Sequence, residues 1–244
     1  MGAQENVATV AFLIADRGRA AMLMALADGR ARPASTLAEI AGITAQTASS
    51  HLAKLLDGGL VAVETAGRHR FYRLAGPHVA HALEALATVG GATAGGASGG
   101  GAAPARKRVV TLQQRQLCFA RCCYDHLAGR VAVAITRGML DRGFIAPADE
   151  QRFAVTGIGA EWFGRLGIDV TALKARRWGL ARQCLDWSEQ APHLAGPLGV
   201  ELMRRLSSDG WLRRRETSRA IEVTPKGWIG LRRELGLSEL AVER

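Results

Sequence analysis

Two short stretches of this chain set a cysteine and a histidine in nearly the same surroundings. One is Cys122-Cys123-Tyr124-Asp125-His126; the other is Cys184-Leu185-Asp186-Trp187, with His193 seven residues after the aspartate. In both, an aspartate stands two residues after a cysteine, and each histidine opens an identical tetrad, His-Leu-Ala-Gly at 126–129 and at 193–196. Thiolate sulfur and imidazole nitrogen are the donors that hold zinc and other soft ions. Cys123, His126, Cys184 and His193 together offer two of each, with Asp125 and Asp186 available to orient the imidazoles. Blander roles compete. Aspartate and histidine near a helix start cap it, a thiol fills a small core space, and a cysteine beside a histidine suits a nucleophile. The gap between the clusters matches no standard zinc spacing. The set becomes a site only if the fold brings distant segments together.

A repeat supplies a reason why it would. Beyond the tetrads, Gly143 corresponds to Gly210, Val155-Thr156 to Val223-Thr224, Gly159 to Gly227, and Leu166-Gly167-Ile168 to Leu235-Gly236-Leu237. The distances from histidine to threonine are 30 and 31 residues, so the two units run in step. Each tetrad is expected to open a helix that ends at its glycine. Trp211 to Thr224 is expected as a basic hairpin carrying Arg213, Arg214, Arg215 and Arg219, and Thr171 to Gln183 as a connecting helix. A pseudo-twofold relating the units would bring the equivalent cysteine–histidine segments to their interface. Cys118 and Cys122, one helical turn apart, form a further redox or metalloid candidate.

A different chemistry is written between Leu37 and Leu74. Ser35 or Thr36 is expected to cap a short helix with Glu39 at capping-box distance, and Gly42 to turn the chain. Thr44 caps a second helix whose apolar face is Ala48, Leu52, Leu55 and Leu56. Thr44, Gln46, Thr47, Ser49, Ser50, His51 and Lys54 are left for solvent or a partner, and no acid occurs from Thr44 to Leu56. Short polar side chains with Gln, His and Lys suit base edges and phosphates, and an acid-free face does not repel them. A strand from Leu60, a turn at Ala66-Gly67 and a return strand to Leu74 follow, with Arg68, His69 and Arg70 near the tip. Helix, turn, helix and basic hairpin in this order predict a winged helix-turn-helix whose second helix enters the DNA major groove.

Flanking segments complete the unit. Val7 to Asp28 has helical periodicity with a break at Gly18. Pro77 to Val89 carries Val79, Leu83, Leu86 and Val89 at helical spacing, suited to a dimer or to an intrachain core. His78, His81 and Glu84 share one face of that segment loosely and are a weaker metal candidate, with a solvated face as the competing view.

Composition sets the class. Charged residues are 22% and hydrophobic residues 48% of 244, which fits a folded protein rather than a disordered one. The net charge of +10 points to an anionic partner, although 28 arginines against 4 lysines also fit codon bias. No leader of secretory type is visible, Asn6 breaks a myristoylation pattern, and the uncharged run 85–105 is too weakly apolar to span a bilayer. A cytoplasmic protein with reduced thiols and no membrane partner is expected. The fold class is mainly α with small β wings (α+β). The expected divisions are a DNA-binding and dimerisation domain over 1–90, a Gly/Ala-rich linker over 91–105 and an accessory domain over 106–244, with repeats at about 118–168 and 184–237.

Residues 10–90 resemble the ArsR/SmtB family of winged-helix repressors, through RGRAAMLMALADG, LAEIAGITAQTASSHLAKLLDGGLV and GRHRFYRLA. The resemblance implies a homodimer formed through the first and last helices of the winged-helix unit, operator DNA as partner, and release when an effector binds. The cysteine box that soft-metal sensors of this family carry on the first helix of the motif is absent from LAEIAGI. Residues 115–237 resemble C-terminal extensions of longer ArsR-like regulators. A repressor released by a metal or metalloid, a redox signal or a small molecule is therefore expected, with zinc or another soft ion as the candidate cofactor. An effector-independent architectural DNA-binding protein is the alternative. A cysteine-dependent enzyme fused to a DNA-binding domain is disfavoured, because no phosphate loop, metalloprotease helix or nucleophile elbow is present.

Overall fold

The computed structural model describes residues 2–67, 69–96, 111–149, 151–175, 179–216 and 218–243. The chain divides into two compact units, Met1–Leu83 and Glu84–Arg244. Both are mainly helical with small antiparallel sheets, as the patterning predicts. Among the described residues no helix is long and apolar enough to cross a membrane.

The first unit opens with helices α1 (Ala3–Ile14) and α2 (Arg17–Ala25). The expected break falls at Asp16 rather than Gly18, because the Asp16 carboxylate caps α2 by accepting from the Arg19 backbone N–H at 2.9 Å. Strand β1 (Arg32–Pro33) then leads into α3 (Ala34–Ala41), so Pro33 is the cap and Ser35 and Thr36 lie inside the first turn. The expected capping box is not made. Pairing of Arg32 and Pro33 with Tyr72 and Phe71 fixes the helix start ahead of both hydroxyls. Gly42 ends α3 at φ +64, where a side chain would be strained. Thr44 caps α4 (Ala45–Asp57) as predicted, accepting from the Thr47 N–H at 3.2 Å. Strands β2 (Val61–Ala66) and β3 (His69–Leu74) pair from Val61↔Leu74 to Ala66↔His69 and complete a sheet of order β1-β3-β2. Met22, Leu23, Leu37, Ala48, Leu52, Leu55 and Leu74 fill the core, while Leu56 is only half-buried.

Helix α5 (Pro77–Gly96) begins in the first unit and ends in the second. It takes in residues 91–96, which the sequence assigns to the linker; 97–105 lie outside the described residues. The second unit continues through α6 (Leu112–Phe119), β4 (Arg121–Cys123), β5 (His126–Ala128), α7 (Arg130–Asp141), β6 (Ile145–Ala148), β7 (Arg152–Val155) and α8 (Gly157–Arg165). The same series then recurs as β8 (Arg182–Leu185), β9 (Pro192–Ala195), α9 (Gly196–Ser208), β10 (Leu212–Arg214), β11 (Ile221–Val223) and α10 (Pro225–Leu235), followed by α11 (Glu239–Glu243). Two expectations are corrected here. The histidines lie in strands β5 and β9, one tetrad before their helices, because each is paired to its own cysteine across a hairpin. Thr171 to Gln183 contains no helix among its described residues: Gly179 takes φ +83 and Arg182 onward joins a sheet.

The repeat is realised by exchange. Hairpin β6–β7, from the first repeat, extends β8–β9 of the second into a sheet of order β6-β7-β8-β9. Conversely, the β10–β11 hairpin of the second repeat reaches β4, through the bridge Arg121↔Ala220 and a bond of 2.9 Å from the Ile221 N–H to the Ala120 carbonyl. Each hairpin therefore borrows its neighbour from the other repeat. Around this frame Met139, Trp162, Phe163, Leu198, Leu206, Trp228 and Leu231 build one core.

Equivalent residues do the same work in both copies. Thr156 donates to the Gly143 carbonyl at 2.6 Å and accepts from the Gly159 N–H at 3.0 Å; Thr224 donates to Gly210 at 2.7 Å and accepts from Gly227 at 3.0 Å. A Cβ added at Gly159 would sit 1.8 Å from the Phe144 carbonyl oxygen, and one at Gly227 2.3 Å from that of Trp211. Gly159→Ala and Gly227→Ala are thus each expected to cost about 1–3 kcal/mol of unfolding free energy. Denaturant titration reads this as a lower midpoint at constant slope. Wild-type midpoints in both variants would refute the close helix–strand approach.

Candidate functional site

Two places gather the side chains singled out in the sequence, one in each unit. In the first, burial of Ala48, Leu52 and Leu55 turns the opposite face of α4 outward, where Thr44, Gln46, Thr47, Ser49, Ser50 and Lys54 are exposed. His69 and Arg70 are exposed at the start of β3, and the Arg70 guanidinium lies 5.6 Å from the Tyr72 ring centre. Arg68, the remaining wing candidate, lies outside the described residues. His51 departs from the expected face. Its Nε2 is 3.3 Å from Asp16 Oδ1, and its side chain is only 15% exposed. The histidine ties α4 to the cap of α2 rather than facing outward, because a position one turn from buried Leu55 and Ala48 sits at the edge of the apolar stripe.

In the second unit the two cysteine–histidine segments converge. Cys123↔His126 are register partners across β4–β5, and Cys184↔His193 across β8–β9. The turn of the first hairpin is only Tyr124-Asp125, with Tyr124 at φ +58. The ligating atoms of Cys123, His126 and Cys184 all lie within 4.8 Å of one another. His193 joins them: its Nε2 is 3.1 Å from His126 Nε2, and the rings stack with centres 5.1 Å apart. Cys123, His126 and His193 are buried and Cys184 half-buried.

Electrostatics follow from this crowding. The hydrogen bond to Cys184, together with burial, pushes the Cys123 thiol up to about 12. The same bond holds Cys184 below the ordinary thiol value, against the opposing effect of burial. Burial disfavours the charged His126 ring, but the Cys123 sulfur and Asp125 outweigh it and raise His126 to about 9. Burial lowers His193. Nitrogens 3.1 Å apart hold at most one proton between them, so the two rings are not both charged.

Asp125 Oδ1 is 3.1 Å from His126 Nδ1. Asp186 Oδ2 is 3.5 Å from His193 Nδ1, which is buried without a formed hydrogen bond. Burial opposes the Asp186 charge, but Arg121 and then His193 overcome it and bring the carboxyl down to about 2. Asp186 also accepts from the Gly129 N–H at 2.6 Å and from the Ser188 hydroxyl at 2.7 Å.

Arg121 is the residue that sequence reasoning misses. It is fully buried, donates to Asp186 at 3.0 Å, lies 3.5 Å from Glu84, and stacks 4.4 Å over Trp187. Glu84 pairs also with Arg219 at 2.9 Å; burial opposes its charge, and Arg219 and Arg121 together lower it. No spacing rule announces such partners, which come from segments far apart in the chain. Glu84 is thereby committed to arginines, and among the described residues His78, His81 and Glu84 form no group able to hold a metal ion. Cys118 and Cys122 do not share a helical turn, since α6 ends at Phe119. Cys122 instead accepts from Arg214 at 3.1 Å, and burial raises the Cys118 thiol. No disulfide links the cysteines.

Comparison with known proteins bears on the whole chain. Residues 14–64 match the family model of a helix-turn-helix domain. The chain is 38% identical over 232 residues to the uncharacterized HTH-type transcriptional regulator YdfF of Bacillus subtilis (strain 168), covering 95% of this chain and 98% of that protein. Among solved structures, the homodimeric winged helix-turn-helix DNA-binding domain of Mb0332 from Mycobacterium bovis, a possible ArsR-family transcriptional regulator, is 28% identical. It covers 40% of this chain and 90% of that one, with a TM-score of 0.36. The cadmium metal-sensor CMTR from Mycobacterium tuberculosis is 33% identical over 41% of this chain and 99% of that one, with a TM-score of 0.30. With α3, α4 and the β2–β3 wing in place and a relative matched along nearly its full length, the chain belongs to the HTH-type transcriptional regulators, with its helix-turn-helix domain in the first unit.

Proposed function

We propose that this regulator is a homodimeric cytoplasmic repressor that grips a palindromic operator with α4 and the wing, and releases it when an effector reaches the second unit. Residues 1–90 would supply the DNA and dimer contacts and 106–244 the sensing. The observation that carries the DNA half is the exposed, acid-free face of Thr44, Gln46, Thr47, Ser49, Ser50 and Lys54 beside His69 and Arg70; Arg68 joins them by its place in the sequence. Support for the dimer comes from apolar side chains left bare on the family's pairing helices: Val7 and Phe12 on α1, Leu86 and Val89 on α5. Support for sensing comes from the convergence of Cys123, His126, Cys184 and His193, which could answer a metal or metalloid ion, a redox signal or a small molecule. Through Asp186 and Arg121 that cluster reaches Glu84, a residue of α5. No reaction is assigned to the thiols, since the matched relative is a regulator.

The test is retention of the protein's own promoter fragment over random DNA by the full chain. A twofold footprint with half-sites about 10–10.5 base pairs apart, or a multiple of that, is expected. Affinity should also fall steeply with salt. Equal retention of random DNA would overturn the reading. An operator affinity indifferent to metals, oxidants and reductants would favour the architectural alternative.

A further inference from the structure

We propose that Cys123, His126, Cys184 and His193 form one tetrahedral site for a soft divalent metal ion of the zinc class, half of it supplied by each repeat. This rests on the reading that the second unit senses an effector, and gives that effector its chemistry.

Geometry is the first support. Zinc bonds of about 2.3 Å to sulfur and 2.0–2.1 Å to nitrogen imply tetrahedral edges of about 3.3 Å between nitrogens and about 3.8 Å between sulfurs. The two Nε2 atoms already stand 3.1 Å apart, and the ligating atoms of Cys123, His126 and Cys184 lie within 4.8 Å of one another. Closure of Cys123, His126 and Cys184 around an ion asks for a contraction of about 1 Å on the sulfur side, with His193 brought in through its 3.1 Å contact with His126. The donors are also held in place. Each cysteine sits opposite its histidine in a paired strand, and Gly129 and Gly196, which end the two tetrads, meet the carbonyls of Cys118 and Leu180 so closely that a Cβ would lie 2.8 and 2.9 Å away.

Charge is the second support. Arg121 and Arg219 are matched by Asp186 and Glu84. Two thiolates offset one divalent cation. Binding therefore releases the two thiol protons, and the extra proton of His126 when that ring is charged, to solvent in exchange for one ion. Both imidazoles also have a carboxylate on the side away from the ion: Asp125 stands on the outer nitrogen of His126, and the buried Nδ1 of His193 has no hydrogen bond but faces Asp186 at 3.5 Å. Ligation through Nε2 fixes the proton on Nδ1, where both carboxylates can take it. Two sulfurs and two nitrogens disfavour calcium and magnesium, which need oxygen.

The test uses the full chain, purified reduced, stripped with a chelator and titrated with Zn2+ or Co2+. About one ion per chain is expected, with the intense visible bands of four-coordinate cobalt and a thiolate-to-cobalt charge-transfer band. Cys123→Ser, Cys184→Ser and His193→Gln should each weaken binding by about 100-fold or more, while Cys118→Ser should not. The wild-type spectrum decides the matter even if a variant fails to fold. Fully reduced protein that takes up no ion, a six-coordinate cobalt spectrum, or unchanged uptake by the Cys123→Ser/Cys184→Ser double variant would each overturn the site. So would a reversible Cys123–Cys184 disulfide in a protein that binds no metal. Metal uptake with no change in operator affinity would leave the site standing and sink the sensing role instead.

Discussion

Arg121→Met is expected to lower the unfolding free energy of the second unit by about 3–5 kcal/mol. The guanidinium is fully buried, donates to Asp186 at 3.0 Å and to the Leu117 carbonyl and Ser188 hydroxyl at 3.3 Å, and covers Trp187. Methionine keeps much of the volume but leaves Asp186 charged and buried without its cation, and leaves Glu84 with Arg219 alone. Removing one partner of a buried pair costs more than the pair itself contributes, because the remaining ion has lost both water and its counter-charge. The matching control is Arg213→Met. Arg213 pairs with Glu222 at 2.9 Å, but it is 70% exposed, so about 0–1 kcal/mol is expected there. Guanidinium titration at constant slope separates the two. An Arg121 variant as mild as the Arg213 variant would show that the buried network does not hold the fold.

The second large effect is on DNA. Ser50→Glu places a carboxylate on the exposed, acid-free face of α4. Operator affinity is expected to fall by about 100-fold, the sum of a lost polar contact and repulsion by phosphate. Stability should move by no more than about 0.5 kcal/mol, since the position is exposed. Ser208→Glu, at an exposed position in α9, changes net charge equally and should leave operator affinity nearly unaltered. Equal losses in both variants would mean that total charge, not the α4 face, governs binding.

Much of the architecture is legible in the sequence, for physical reasons that differ by element. Local rules located α4 and the wing: the Thr44 cap, the turn at Gly42 with φ +64, and the apolar positions Ala48, Leu52 and Leu55. The cysteine–histidine set was readable because two identical tetrads implied related units, whose equivalent loops meet. What escaped depends on contacts between distant segments. His126 and His193 lie in strands because Cys123 and Cys184 pair with them, and hairpin exchange between repeats leaves no periodic trace. Pro33 displaced the expected cap at Ser35 or Thr36 through pairing with Phe71. His51 turned to Asp16, a residue 35 positions earlier in the chain. Arg121, Asp186 and Glu84 are ordinary surface types until the fold buries them together.

We propose that one chain reads DNA with its first unit and an effector with the cysteine–histidine cluster of its second. The most direct test is the operator-binding isotherm of the full protein, measured with and without Zn2+, beside the Cys123→Ser/Cys184→Ser double variant. Tight, salt-sensitive binding by both proteins is expected without metal, and about 5–150-fold weaker binding on metal addition in the wild type alone. Wild-type and double-variant isotherms that respond identically to Zn2+, or that both ignore it, would contradict the proposal.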